Sequence, residues 1–119
     1  MNIKKAKINK NRDYQRVYSR GRSIACSNLV TYVLKTKSRS VRVGITTSKK
    51  IGNAVKRNRA RRVIKAAFFE LQSYLPSKTG FDIVFVARSK TCQVKSTEIL
   101  KNMKYHLEKF GVINWNLLQ

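Results

Sequence analysis

Between Lys49 and Lys65, eight of seventeen residues are cationic and none is acidic. The run reads Lys49-Lys50-Ile51-Gly52-Asn53-Ala54-Val55-Lys56-Arg57-Asn58-Arg59-Ala60-Arg61-Arg62-Val63-Ile64-Lys65. Guanidinium groups form paired hydrogen bonds to phosphate and stack on bases, so arginine in this density points to phosphate recognition. At roughly 100° per helical residue, Ala60, Ile64, Ala67, Phe68, Leu71 and Leu75 fall in one apolar stripe. Asn58, Arg59, Arg62 and Lys65 then lie on the opposite side, and Arg57 and Arg61 flank the stripe. The predicted object is a cationic rod held to the protein by its second half. Asn58 adds a donor and an acceptor suited to a base edge or a 2′-hydroxyl. Cations in a first helical turn oppose the helix dipole, a cost that an anion seated there would offset. Most charge runs are only solvated faces. Such faces usually carry acidic partners three or four residues away, and this run has none.

Aromatic residues supply a second constellation. Tyr14 and Tyr18 share one face of a helix predicted over about residues 12–19, and Tyr32 falls on a predicted strand. A helix lying across the sheet would bring the three rings into a groove able to stack single-stranded nucleotides, at about 1–3 kcal/mol per base. The alternative, which spacing alone favours, is that the rings are ordinary amphipathic core residues. Arg12, Arg88, Lys90 and the N-terminal lysines are weaker candidates, each equally a solvated charge.

Protein-borne catalysis finds no support. His106 has no matching Cys or Ser, and the five carboxylates, Asp13, Glu70, Asp82, Glu98 and Glu108, are scattered. Cys26 and Cys92 form no CxxC pair and, with one histidine, fall short of the four ligands of a zinc site. No catalytic residue and no protein-held metal is expected.

The positioning elements follow from patterning. The chain has 119 residues, with 27 Lys and Arg against 5 Asp and Glu, a formal charge of +22. One domain is expected over residues 1–119. A surplus that large repels itself and calls for a polyanion, nucleic acid first and an anionic membrane second. No predicted helix pairs a basic face with a large apolar one, which weakens the membrane reading. No secretory signal or spanning run is visible, so a cytoplasmic protein is expected. Residues 1–10 read as a mobile basic arm. Asn11 or Asp13 would cap the first helix and Gly21 would end it. Strands are predicted at 24–34 and 41–47, paired as a hairpin, then a helix over 53–75 stopped by Pro76. A buried strand follows at 81–87. A last helix, over about 98–110, would be capped by Ser96 or Thr97 and closed by Gly111. The apolar tail 112–119, with Trp115, has no assigned role.

The stretch Ser48 to Arg62, with Arg57-Asn58-Arg59 at its centre, closely resembles the signature of the bacterial ribonuclease P protein subunit. Asn11 to Tyr18, Val41 to Thr47 and Phe81 to Arg88 resemble further parts of that family. The resemblance implies an α+β sandwich of αβββαβα type, with a four-stranded central sheet and a left-handed βαβ crossover. It implies that Lys49, Lys50, Asn53, Lys56, Arg57, Asn58, Arg59, Arg61, Arg62 and Lys65 contact the catalytic RNA. It implies that Tyr14, Tyr18 and Tyr32 line the path of the single-stranded 5′ leader of precursor transfer RNA, with Arg12, Arg88 and Lys90 the weaker candidates beside them. Catalysis would belong to the RNA, with Mg2+ bound mainly there, and no obligate protein partner is implied. The alternative is a structural RNA-binding module such as a ribosomal protein.

Overall fold

The computed structural model describes residues 5–76 and 78–113. The elements run β1 (Ala6–Lys7), α1 (Asn11–Arg20), β2 (Arg22–Ala25), β3 (Leu29–Thr36), β4 (Val41–Thr46), α2 (Ala54–Leu71), β5 (Gly80–Ala87) and α3 (Ser96–Lys109). From α1 to α3 this is the expected αβββαβα order. The sheet has five strands rather than four, in the order β1-β4-β5-β3-β2. The extra strand comes from the predicted arm: Ala6 and Lys7 pair in parallel with Arg42 and Val43, and Ile8 is buried. An apolar residue in a basic segment is what ties it to the sheet edge.

β3 and β4 do not form the predicted hairpin, because β5 lies between them, antiparallel to β3 and parallel to β4. Six of the eight β5 residues are buried, so the central position is where this strand is best shielded from water. Two strand spacings are about 10 Å, which the Lys37–Ser40 link easily spans. The predicted 24–34 strand is likewise two strands. Cys26 to Asn28 turn the chain, and β2 folds back antiparallel on β3.

Side chains alternate between the two sheet faces. Val41, Val43, Phe81, Ile83, Phe85, Leu29 and Val33 join the stripe Ala60, Ile64, Ala67, Phe68, Leu71 and Leu75 in the main core beneath α2 and α3. On this side Thr31 Oγ1 and His106 Nδ1 lie 2.7 Å apart, both residues fully buried, so His106 is a satisfied core histidine. The other face carries α1 on a smaller cluster of Ile8, Val17 and Val84. α1 is not capped by Asn11 or Asp13. Lys10 is its N-cap, and Asp13 turns inward to Arg42. Ser96 and Thr97 similarly lie inside α3, whose N-cap is Lys95. Past α3, the Gly111 and Val112 N–H groups bond to the Glu108 and Leu107 carbonyls, and Val112 and Ile113 enter the core. The rest of the tail, with Trp115, lies outside the described residues.

The hand of the β4–α2–β5 crossover follows from one hydrogen bond. Val43 turns its side chain toward α2 and its carbonyl toward β1, accepting from the Ile8 N–H at 2.9 Å. For an L-residue viewed from its side-chain face with the strand running upward, N–H and C=O point right. β1 therefore lies to the right of β4 and β5 to the left. A chain that leaves β4, passes over α2 and enters a parallel strand on the left makes a left-handed crossover. That agrees with the resemblance and departs from the usual right-handed rule.

Candidate nucleic-acid interface

The basic run is built from the end of β4 onward. Lys49–Ile51 form one 3-10 turn in which Ile51 is buried and both lysines are exposed. Gly52 has φ of 138°, a conformation that L side chains rarely adopt, and it redirects the chain into α2. Asn53 then caps α2: its side chain accepts from the Lys56 N–H at 3.0 Å. Asn53 therefore shapes the helix entry as well as standing exposed beside it.

Three arginines are held by neutral acceptors. Arg57 donates to the Gly52 carbonyl at 2.8 Å, and Arg59 to the Cys92 carbonyl at 2.7 Å. Arg61 donates to the Ile45 carbonyl at 3.1 Å and to Thr47 Oγ1 at 3.3 Å. Each guanidinium carries five N–H donors, so most remain for a ligand, and the full positive charge is uncancelled. Arg62, Asn58 and Lys56 are exposed, and Lys65 is half-buried. The ion pairs among the described residues are Arg16 and Arg42 with Asp13, Arg42 with Asp82, and Lys101 with Glu98. None involves a cation of α2.

The three tyrosines do meet on the α1 face. Tyr14 and Tyr18 have ring centroids 6.4 Å apart, and Tyr18 and Tyr32 are 5.0 Å apart, edge to face. Tyr18 Oη is 2.7 Å from Thr46 Oγ1, and burial pushes its phenol above the usual range. All three rings are half-buried against the Val17–Val84 cluster, so each helps form the small core and keeps an accessible side. The core reading of their spacing thus holds in part, and each ring stays open on one side.

The α1 face is tied down by charge. Arg42 grips Asp82 with two bonds, Nε to Oδ1 at 2.9 Å and Nη2 to Oδ2 at 2.6 Å, and reaches Asp13 on α1 at 3.4 Å. The Asp82 bond raises the guanidinium above its already high range. Among the described residues no three of His, Cys, Asp and Glu come together to hold a metal. The two carboxylates that do converge are spanned by Arg42, so this cluster does not fit Mg2+.

The tyrosine row and the basic helix, predicted separately, touch at the free edge of β4. A cleft of about 180 Å³ there is lined by Lys7, Asn9, Tyr14, Gly44, Arg61 and Lys65, among others. A Cβ on Gly44 would sit 2.6 Å from the Tyr14 ring, so glycine is what lets that ring lie against the strand. Asn9 is an addition to the predicted site, and Lys7 is one of the N-terminal lysines named there only as weaker candidates. In the sequence they belong to a basic stretch with no periodicity, and only the pairing of β1 assigns them a place. Arg12, Arg88 and Lys90 are all exposed, and Arg88 also donates to the Cys26 carbonyl at the β2–β3 turn.

A family model described as Ribonuclease P matches residues 3–111. The chain belongs to the ribonuclease P protein family. The ribonuclease P protein component of Clostridioides difficile is 44% identical over 97 residues, covering 82% of this chain and 84% of the relative. That of Clostridium kluyveri is 36% identical over 106 residues, covering 89% and 95%. The solved Staphylococcus aureus RNase P protein superposes with a TM-score of 0.76 at 34% identity, covering 93% of this chain and all of that one. Membership of the ribonuclease P protein family carries participation in a transfer-RNA-processing endoribonuclease, the enzyme class that the Arg57-Asn58-Arg59 signature implied. No helix among the described residues is long and apolar enough to cross a membrane.

Proposed function

We propose that this chain binds the catalytic RNA of ribonuclease P through the N-terminal half of α2, and the 5′ leader of precursor transfer RNA along the tyrosine row. The observation that carries this reading is that, among the described residues, the α2 arginines have no carboxylate partners, and three of them, Arg57, Arg59 and Arg61, are fixed by carbonyl and hydroxyl oxygens instead. Arginines so fixed present spaced donors to phosphates and lose little side-chain freedom on binding. The half-buried rings offer stacking faces to unpaired bases. The cleft at the β4 edge, lined by Tyr14 from one surface and Arg61 and Lys65 from the other, sets the two RNAs side by side. In this reading Mg2+ is held by the RNA, where it supplies an activated water and stabilises the leaving oxygen. The chain's own cations reduce repulsion between substrate and catalytic RNA.

The test is cleavage of precursor transfer RNA by a bacterial ribonuclease P RNA at low magnesium. The protein should stimulate cleavage. A variant with Arg57, Arg59 and Arg62 changed to Ala should keep its fold and lose most of the stimulation. Its affinity for the RNA should be lower, with a salt dependence shallower by roughly 0.7–0.9 for each phosphate it no longer neutralises. No stimulation by the unaltered protein would reject the reading in favour of a structural RNA-binding module. Normal RNA affinity in the triple variant would remove α2 as the docking face.

A further inference from the structure

Val55 stands on the wrong side of α2 for a valine. It is 71% exposed, the most exposed large apolar side chain among the described residues. Nine positions separate it from the buried Ile64, so at roughly 100° per residue it points about 180° away from the core stripe. Seven positions separate it from Arg62, about 20° away on the same ridge. Val55 therefore occupies the crest of the cationic face, with Asn58 and Arg59 on either side. Together with Asn58, Arg61, Arg62 and Lys65 it lines a shallow depression of about 410 Å³.

Nothing in the fold uses this side chain. A β-branched residue loses rotamer freedom in a helix, and Val55 buries too little surface to offset that. Single exposed apolar residues are ordinary on protein surfaces. This one is distinguished by its surroundings: every other residue lining the depression is polar, and three are cationic. A partner that satisfies the cations must be anionic, and a partner that covers Val55 must present an apolar surface within one side-chain length of that charge. A nucleotide does both, with the phosphate beside the face of its base or its ribose.

We propose that Val55 is an apolar contact for one nucleotide of the docked RNA, its methyl groups resting on the base or sugar while neighbouring cations hold the phosphates. The proposal rests on α2 being the RNA-docking face. It adds a requirement that phosphate binding alone does not impose. The nucleotide at this point must expose a base face or its ribose, as in an unpaired stretch or a shallow minor groove, rather than only backbone.

The experiment measures affinity for a bacterial ribonuclease P RNA over a range of salt, using the full chain, Val55→Ala and Arg62→Ala, with melting temperature recorded for each. Val55→Ala should weaken binding about three- to tenfold at every salt concentration, from the removal of two methyl groups that the RNA would cover. The slope of log K against log salt should not change, since the same phosphates stay neutralised. The melting temperature should hold or rise, because alanine is the better helix former. Arg62→Ala should instead make the slope shallower by roughly 0.7–0.9. Affinity of Val55→Ala within twofold of the parent, or a changed slope, would overturn the inference. If Arg62→Ala behaves as expected in that case, the docking reading stands. If both variants bind like the parent, both readings fall.

Discussion

Replacing Arg42 with alanine should cost this protein about 3 kcal/mol, much of it because Asp82 would be left behind. Asp82 is 1% exposed and sits at the centre of the sheet, on the α1 face. Its carboxylate receives two charged hydrogen bonds from Arg42, at 2.9 and 2.6 Å. Removing one partner of a buried pair typically costs about 3–5 kcal/mol, since the other charge stays desolvated. The Arg42 side chain is 31% exposed, so water can partly replace it and the lower end applies. The bond to Asp13 is longer, 3.4 Å, and adds little. For a chain of this size the melting temperature should fall by roughly 10 °C. Denaturant unfolding followed by circular dichroism measures the destabilisation. The diagnostic is the double variant: Arg42→Ala with Asp82→Asn should be more stable than Arg42→Ala alone, by about 1–2 kcal/mol. A single-variant effect below about 1 kcal/mol, or a double variant no more stable than the single, would refute the claim that a stranded carboxylate sets the cost.

Two further perturbations probe the α1 groove and the core. Tyr18→Phe keeps the ring and removes only the bond to Thr46, so leader binding should stay near normal. Tyr18→Ala should weaken binding of leader-bearing precursor by about 1–3 kcal/mol and of mature transfer RNA much less; equal effects on both substrates would count against the groove. His106 is buried beside Thr31, and burial lowers its affinity for a proton. The unfolded chain gains a proton near the ordinary histidine value of about 6.5, while the folded chain resists. The stabilisation is therefore present above the unfolded pKa and is lost as pH falls toward the folded one. Urea midpoints for the parent should drop on acidification from about pH 8 to about pH 5 more than those of His106→Gln. A parent that gains stability relative to the variant over that range would contradict the assignment.

Helical periodicity made α2 legible. The stripe from Ala60 to Leu71 is buried as spaced, and Asn58, Arg59 and Arg62 face outward. The same logic recovered the alternation of β3, with Leu29, Thr31 and Val33 inward on one side. Strand neighbours were not legible, because adjacency in sequence suggested a β3–β4 hairpin while burial favoured β5 between them. The capping predictions failed for a different reason. Asp13 has the right chemistry for a cap, but α1 begins two residues before it, and its carboxylate turns instead toward the part-buried Arg42. For β1, two paired residues are too short a stretch for any period to register. Signature residues identified the basic helix, but could not say that Tyr14 and Arg61 would share a cleft, since that depends on how far β1 extends.

The extent of β1 is the geometric condition for joining the two surfaces. In the parallel register that pairs Lys7 with Val43, Ile8 already donates to the Val43 carbonyl. One further step would pair Asn9 with Ile45 and bring the Lys10 N–H onto the Ile45 carbonyl, which points the same way as that of Val43. The chain leaves the sheet first, to begin α1 at Asn11. The Ile45 carbonyl is thereby left at the edge, and Arg61 takes it at 3.1 Å. A longer β1 would displace that guanidinium, cover the cleft and separate the ring of Tyr14 from the cations of α2. A shorter one would free Ile8 from the small core that supports α1. The free sheet edge, elsewhere a liability for unwanted pairing, is here occupied by an arginine whose remaining donors stay open.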